Sequence, residues 1–249
     1  MYFLIAVNNL KGKIPDEISV LSTLEKLDLF FNSVTGTLSD GLSELENLAT
    51  LDVQQNLLTG EAFPSSITNS PSLVSYRISN NKLSGGIPSE IGSLKNLKEL
   101  WAGDNEIAGE IPSEIGDLRN LKTLLFQNNK LEGEVPTQLG LIPLEGLVMN
   151  DNQFLGRIPS QLFNVASLDT IRLDRNLFTG TLPDAIGQLT DIKHFRVEHN
   201  KLSGQIPKTI GSMTSLGKQD SSFLPTCIQV VQKLMKFTHQ IHFHFDSTL

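Results

Sequence analysis

Apolar residues recur along this chain in a fixed order around an asparagine: one lies eight positions before it, two lie five and three before it, and one lies two after it. In one copy these are Leu24, Leu27, Leu29 and Val34 around Asn32; in another they are Leu168, Ile171, Leu173 and Phe178 around Asn176. The pair at minus five and minus three has a period of two, which predicts a short strand with one face inward. Residues at minus six, minus four and minus two then point to solvent. The asparagines are Asn8, Asn32, Asn56, Asn81, Asn105, Asn129, Asn152, Asn176 and Asn200, nine copies spaced 23 to 25 residues apart. A period in the twenties predicts a solenoid of stacked coils, each too small to fold alone and stabilised by its neighbours.

Three further positions shape each coil. The asparagine amide carries two donors and an acceptor, so stacked coils can use it as a ladder that satisfies backbone groups at the turn after each strand. A glycine follows four residues later in every copy, from Gly12 to Gly204, which suits positive φ or close backbone approach. Proline opens the next segment in eight copies, with Ser39 in the second, and favours an irregular or 3₁₀ stretch there over a long α-helix. The expected organisation is a repeat region over residues 1–216 and a non-repeat tail over 217–249. In the tail Leu224 stands where an asparagine is due, and Ile228, Val231, Leu234 and Met235 form a helical stripe suited to capping the last coil, with a disordered tail as the alternative.

The run LKNLKELWAGDNEIAGEIPSEIGDL resembles the plant-specific class of leucine-rich repeat, over about residues 1 to 216. The resemblance implies an α/β repeat fold: a right-handed solenoid with a parallel β-sheet on its concave side and an irregular or 3₁₀ convex side. It also implies that the concave sheet is the recognition surface, as in ectodomains of plant receptor-like kinases and receptor-like proteins. The peptide receptors of that class often carry an Arg-x-Arg pair for a ligand's C-terminal carboxylate, and this sequence has no such pair on its concave positions. The family's cysteine-paired caps are also absent, so the first coil, with no cap before Phe3 and Ile5, is expected to present an open apolar end, as in a segment of a longer protein.

The outward positions single out one region. At minus four the coils carry Leu4, Asp28, Asp52, Arg77, Trp101, Leu125, Val148, Arg172 and Arg196. With strands about 4.8 Å apart, Trp101, Leu125 and Val148 form an apolar strip bracketed by Arg77 and Arg172. At minus two, Gly103 leaves a gap beside the indole, and Gln127 and Asn150 offer orienting amides. An apolar anchor with a few convergent polar groups is how a recognition hot spot is built. These eight residues are the candidate ligand-binding set, with the arginines meeting acidic groups at the ligand's margins. Phe30 and Phe31 form a second apolar cluster that could be a lateral binding edge, although Phe31 is expected to pack toward the ascending loop. Asp28 and Asp52 read as a solvated acidic patch and not as a catalytic pair.

Composition narrows the function class. A net charge of −7 with scattered Lys and Arg speaks against nucleic acid as a partner. The lone Cys227 excludes an internal disulfide or a cysteine zinc site, and the spacing of His239, His242 and His244 does not suit a metal. No apolar run is long enough to span a bilayer. The apolar opening MYFLIAV lacks a basic region and a small-residue cleavage site, so it reads as structure and not as a signal peptide. No nucleophile motif or phosphate loop is present, and no enzyme activity, cofactor or metal is expected. The reading is a recognition module for a peptide or protein, with a co-receptor as a further partner, at the cell surface or outside the cell if part of a larger receptor. Two alternatives stay open: an intracellular, cytoplasmic scaffold, or the recognition part of a receptor kinase whose kinase domain lies outside this chain.

Overall fold

The computed structural model describes residues 1–216; the tail with its helical stripe and its three histidines lies outside the described residues. Nine short strands, from Tyr2–Leu4 to His194–Arg196, form one parallel sheet whose order is the order of the sequence. This is the concave face of a right-handed leucine-rich-repeat solenoid. Register is continuous across the candidate region, with Arg77 beside Trp101, Trp101 beside Leu125, Leu125 beside Val148, and Val148 beside Arg172. The period of the repeat, and not any single strand, sets that register, because a three-residue strand is too short to choose its own partner.

The convex side follows from the prolines. In seven coils a proline, such as Pro112 at φ −69° and ψ 150°, opens a five-residue 3₁₀ turn such as Ser113–Asp117. Where Ser39 replaces proline, its hydroxyl oxygen accepts from the Gly41 amide and donates to Asp16, which starts the turn by another route. The one coil lengthened to 25 residues carries a short α-helix, Ser65–Thr68.

Two backbone features lie outside what the periodicity predicts. The residue just before each ladder asparagine is left-handed in all nine coils, at φ between 51° and 59°. Asn80, Asp104, Asn128, Asp151 and His199 suit that conformation, whereas Val7 and Phe31 hold it under strain. The segment after the asparagine also forms strands of its own on the flank, including a four-stranded parallel sheet from Lys11–Lys13 to Lys82–Ser84.

A single apolar core runs through the stack, and Leu100, Leu124, Leu147 and Ile171 are fully buried within it. Tyr76 occupies the same inward position in its coil and donates its hydroxyl to the Ala62 carbonyl at 2.6 Å. At the first coil Phe3 is 38% exposed, and a cavity of about 210 Å³ opens among Phe3, Ile5, Leu10, Ile14, Leu27 and Leu29.

The asparagines repeat one bonding pattern. Asn176 is typical: its Nδ2 donates to the carbonyls of Leu173 and Asp174 in its own coil and of Met149 in the coil before, and its Oδ1 accepts from the Phe154 amide. One side chain therefore joins two coils through four bonds to backbone groups.

Candidate binding surface on the concave face

Trp101, Leu125 and Val148 stand side by side on the outward face, each half-buried. Strand alternation puts them there: Leu100, Leu124 and Leu147 fill the core on the opposite face of the same strands.

The arginines at the margins are engaged within the protein, which changes the role expected of them. The Arg77 guanidinium stacks over the Trp101 ring at 4.4 Å, donates to Glu99 from Nη2 at 2.7 Å and from Nε at 3.1 Å, and reaches Asp52 at 3.4 Å. Ser75 donates to the same Glu99 oxygen at 2.7 Å. Arg77 is therefore a positioning residue that fixes one face of the indole, not a free clamp for a ligand's acidic group. Asp52 is buried, bonded to Gln54 and Arg77 and not part of a solvated patch, while Asp28 pairs with Lys26 at 3.2 Å. Arg172 faces Asp174 at 3.6 Å.

The Glu99 carboxyl is pulled two ways. Partial burial raises its pKa, but the Ser75 hydroxyl and the Arg77 guanidinium together outweigh that and hold it below the ordinary 4.5. A carboxyl depressed on folding contributes stability that is complete above its unfolded value and is lost as pH falls through the folded one. Wild type should therefore be more stable than Glu99→Gln at pH 7, and the gap should narrow as pH drops below 4.5. Urea unfolding of both proteins at pH 7 and pH 3 checks this; a gap that widens in acid contradicts it.

The space over Gly103 is filled. A Cβ there would collide with the Gln127 amide, which lies across the glycine and donates to Asp104 at 3.1 Å. Asp104 also accepts from Asn128, and one coil further Asp151 accepts from Asn150 Nδ2 at 2.6 Å. Each aspartate fixes its amide's orientation, because only the nitrogen can face a carboxylate. The amide oxygens are left without partners. Of the six buried side-chain polar atoms without a hydrogen bond among the described residues, five lie on this surface: Trp101 Nε1, Gln127 Oε1, Asn150 Oδ1, Arg172 Nε and Asp174 Oδ1. Such atoms are exceptions in folded proteins and mark places where another molecule can supply the bond.

Phe31 departs from its expected packing. It is 53% exposed and meets Phe30 at a ring distance of 6.1 Å, because the left-handed backbone at this position turns the side chain outward. Among the described residues no group of His, Cys, Asp and Glu is placed to hold a metal ion, and no helix is long and apolar enough to cross a membrane.

The stacked coils, the asparagine ladder and the parallel sheet define a leucine-rich-repeat solenoid, similar to that of a plant receptor kinase. The leucine-rich-repeat family model matches residues 77–94, 96–118 and 167–189. Among solved structures the chain is similar to a TDR receptor, at 31% identity and a TM-score of 0.83 over 87% of this chain and 37% of that one. It is also similar to the Arabidopsis receptor kinase HAESA, solved with the peptide hormone IDA and the co-receptor SERK1, at 30% identity and 0.83 over 87% and 36%. A plant ice-binding protein matches at 26% identity and 0.70 over 90% and 82%. The chain thus spans little more than a third of these two receptor structures. No curated protein matches it in sequence.

Proposed function

We propose that this chain is a recognition module that binds a peptide or protein ligand across its concave sheet, with Trp101, Leu125 and Val148 as the apolar anchor. The observation that carries the reading is the coincidence of that strip with three unpaired polar atoms on the same surface, Trp101 Nε1, Gln127 Oε1 and Asn150 Oδ1. Gln127 and Asn150 act as oriented acceptors, and Arg77 acts through the indole it covers. The receptor relatives support a place at the cell surface in signalling or defence, beside a co-receptor, because the HAESA structure contains both a peptide hormone and a co-receptor. The reading assigns no chemistry to the chain itself.

The test uses a linear peptide selected from a displayed random library against the wild-type protein, synthesised and titrated by calorimetry. Trp101→Ala should weaken its binding by about 2 kcal/mol or more, roughly thirtyfold, as expected for an aromatic hot spot. Far-ultraviolet circular dichroism should be unchanged. Unaltered affinity in the variant would retire this site.

A further inference from the structure

The concave face carries a second glycine that no packing contact requires. Gly146 stands at minus six in the seventh coil, paired in register with Thr123 on one side and Thr170 on the other. The same position in the other coils holds Tyr2, Lys26, Thr50, Ser75, Glu99, Thr123, Thr170 and His194. The two concave glycines differ in kind. At Gly103 the space above the backbone belongs to the Gln127 amide, whereas a Cβ on Gly146 would meet only the Thr123 methyl at 3.7 Å, an ordinary contact. Its φ lies outside the left-handed region, so a side chain would fit the backbone as well.

Glycine inside a strand weakens it and is found at a bulge, a tight bend, or a close approach of ligand or backbone. The pairing on both sides of Gly146 is continuous, so there is no bulge. The rim around it is already satisfied: Thr170 donates to Asp169 at 2.9 Å, and Lys122 pairs with Glu145 at 3.3 Å. What remains is a bare notch beside Val148 and the Thr123 methyl. Further along the same chain segment, Asn150 is 4% exposed and its Oδ1 has no partner. One coil therefore offers, in order, a notch, an apolar wall and an unpaired acceptor.

We infer that Gly146 forms a specificity subsite for a linear peptide: one bulky apolar side chain of the ligand occupies the notch against Val148 and Thr123, and a ligand N–H donates to Asn150 Oδ1. The inference rests on the concave-face reading above, and the two are separable by experiment. The selected peptide is titrated against wild type, Gly146→Thr and Trp101→Ala, and each protein is melted. Gly146→Thr should melt at or above the wild-type temperature, since threonine is the residue its neighbours carry, and should bind at least tenfold more weakly. Replacing the peptide's notch residue with alanine should cost affinity toward wild type and almost none toward Gly146→Thr.

If Gly146→Thr binds within twofold of wild type while Trp101→Ala loses binding, the notch is overturned and the recognition surface stands. Unchanged binding by both variants, or a library that yields no peptide, overturns both. Should threonine prevent folding, Gly146→Ala, which adds a single methyl where the space is open, carries the same test with a smaller loss.

Discussion

Replacing Asn176 with leucine is expected to destabilise the solenoid by about 1.5–4.5 kcal/mol, because one buried backbone group loses its partner, at about 1–3 kcal/mol, and a second loses one of two, at about 0.5–1.5 kcal/mol. The first is the Phe154 amide, 3.1 Å from the asparagine oxygen; the second is the Met149 carbonyl, 2.9 Å from its nitrogen, which keeps Asn152 Nδ2 at 3.3 Å. Both belong to the preceding coil, so the substitution cuts a link between coils and not only within one. Leucine keeps the branching of the asparagine side chain but its methyl groups take more room, so crowding adds to the loss. Asn176→Asp separates volume from bonding: it keeps an acceptor for Phe154 but sets an oxygen against the carbonyls of Met149, Leu173 and Asp174. It should be about as damaging at pH 7. Because the stack is quasi-one-dimensional, the loss should be local before it is global. Hydrogen exchange should show the Phe154 amide losing protection first; uniform loss along the chain would contradict this.

Two neighbours on one strand should give opposite results. Phe126 points inward and is fully buried, so Phe126→Ala should cost about 3–5 kcal/mol as a cavity opens in the core. Leu125 points outward between Trp101 and Val148, so Leu125→Ala should change stability by less than about 1 kcal/mol. In binding the order reverses. Leu125→Ala should weaken the selected peptide about tenfold, near 1.4 kcal/mol, while Phe126→Ala, measured at a temperature where it remains folded, should lose less. Thermal melts and calorimetry on the two variants check both halves. A Leu125→Ala protein that loses stability and keeps its affinity would place that residue in the core and outside the site.

The solenoid was legible in the sequence because a 24-residue period and a two-residue alternation are both written in apolar side chains. Every inward position followed from Leu24, Leu27, Leu29 and Val34 once the period was known. The strip was legible for the same reason, since outward residues of adjacent coils become neighbours by counting. The roles of Arg77, Gly103 and Phe31 were not. Arg77 looks free in the minus-four column, but Glu99 lies in the minus-six column of the next coil, where register brings its carboxylate within 2.7 Å. Gly103 looks like a gap until the long Gln127 side chain folds over it. The left-handed residue before each asparagine left a trace in Asn80, Asp104, Asn128, Asp151 and His199, which favour that backbone. The same conformation turns Phe31 outward.

Trp101 is the chain's only tryptophan, so its fluorescence reports on the proposed site without any label. The most direct measurement is a titration of the selected peptide followed by tryptophan emission and by calorimetry on the same samples. A ligand that covers the strip should shift or quench the emission saturably, with the midpoint of the calorimetric curve. Calorimetric binding with no change in Trp101 emission would mean that the ligand docks elsewhere and that the concave strip is not the recognition site.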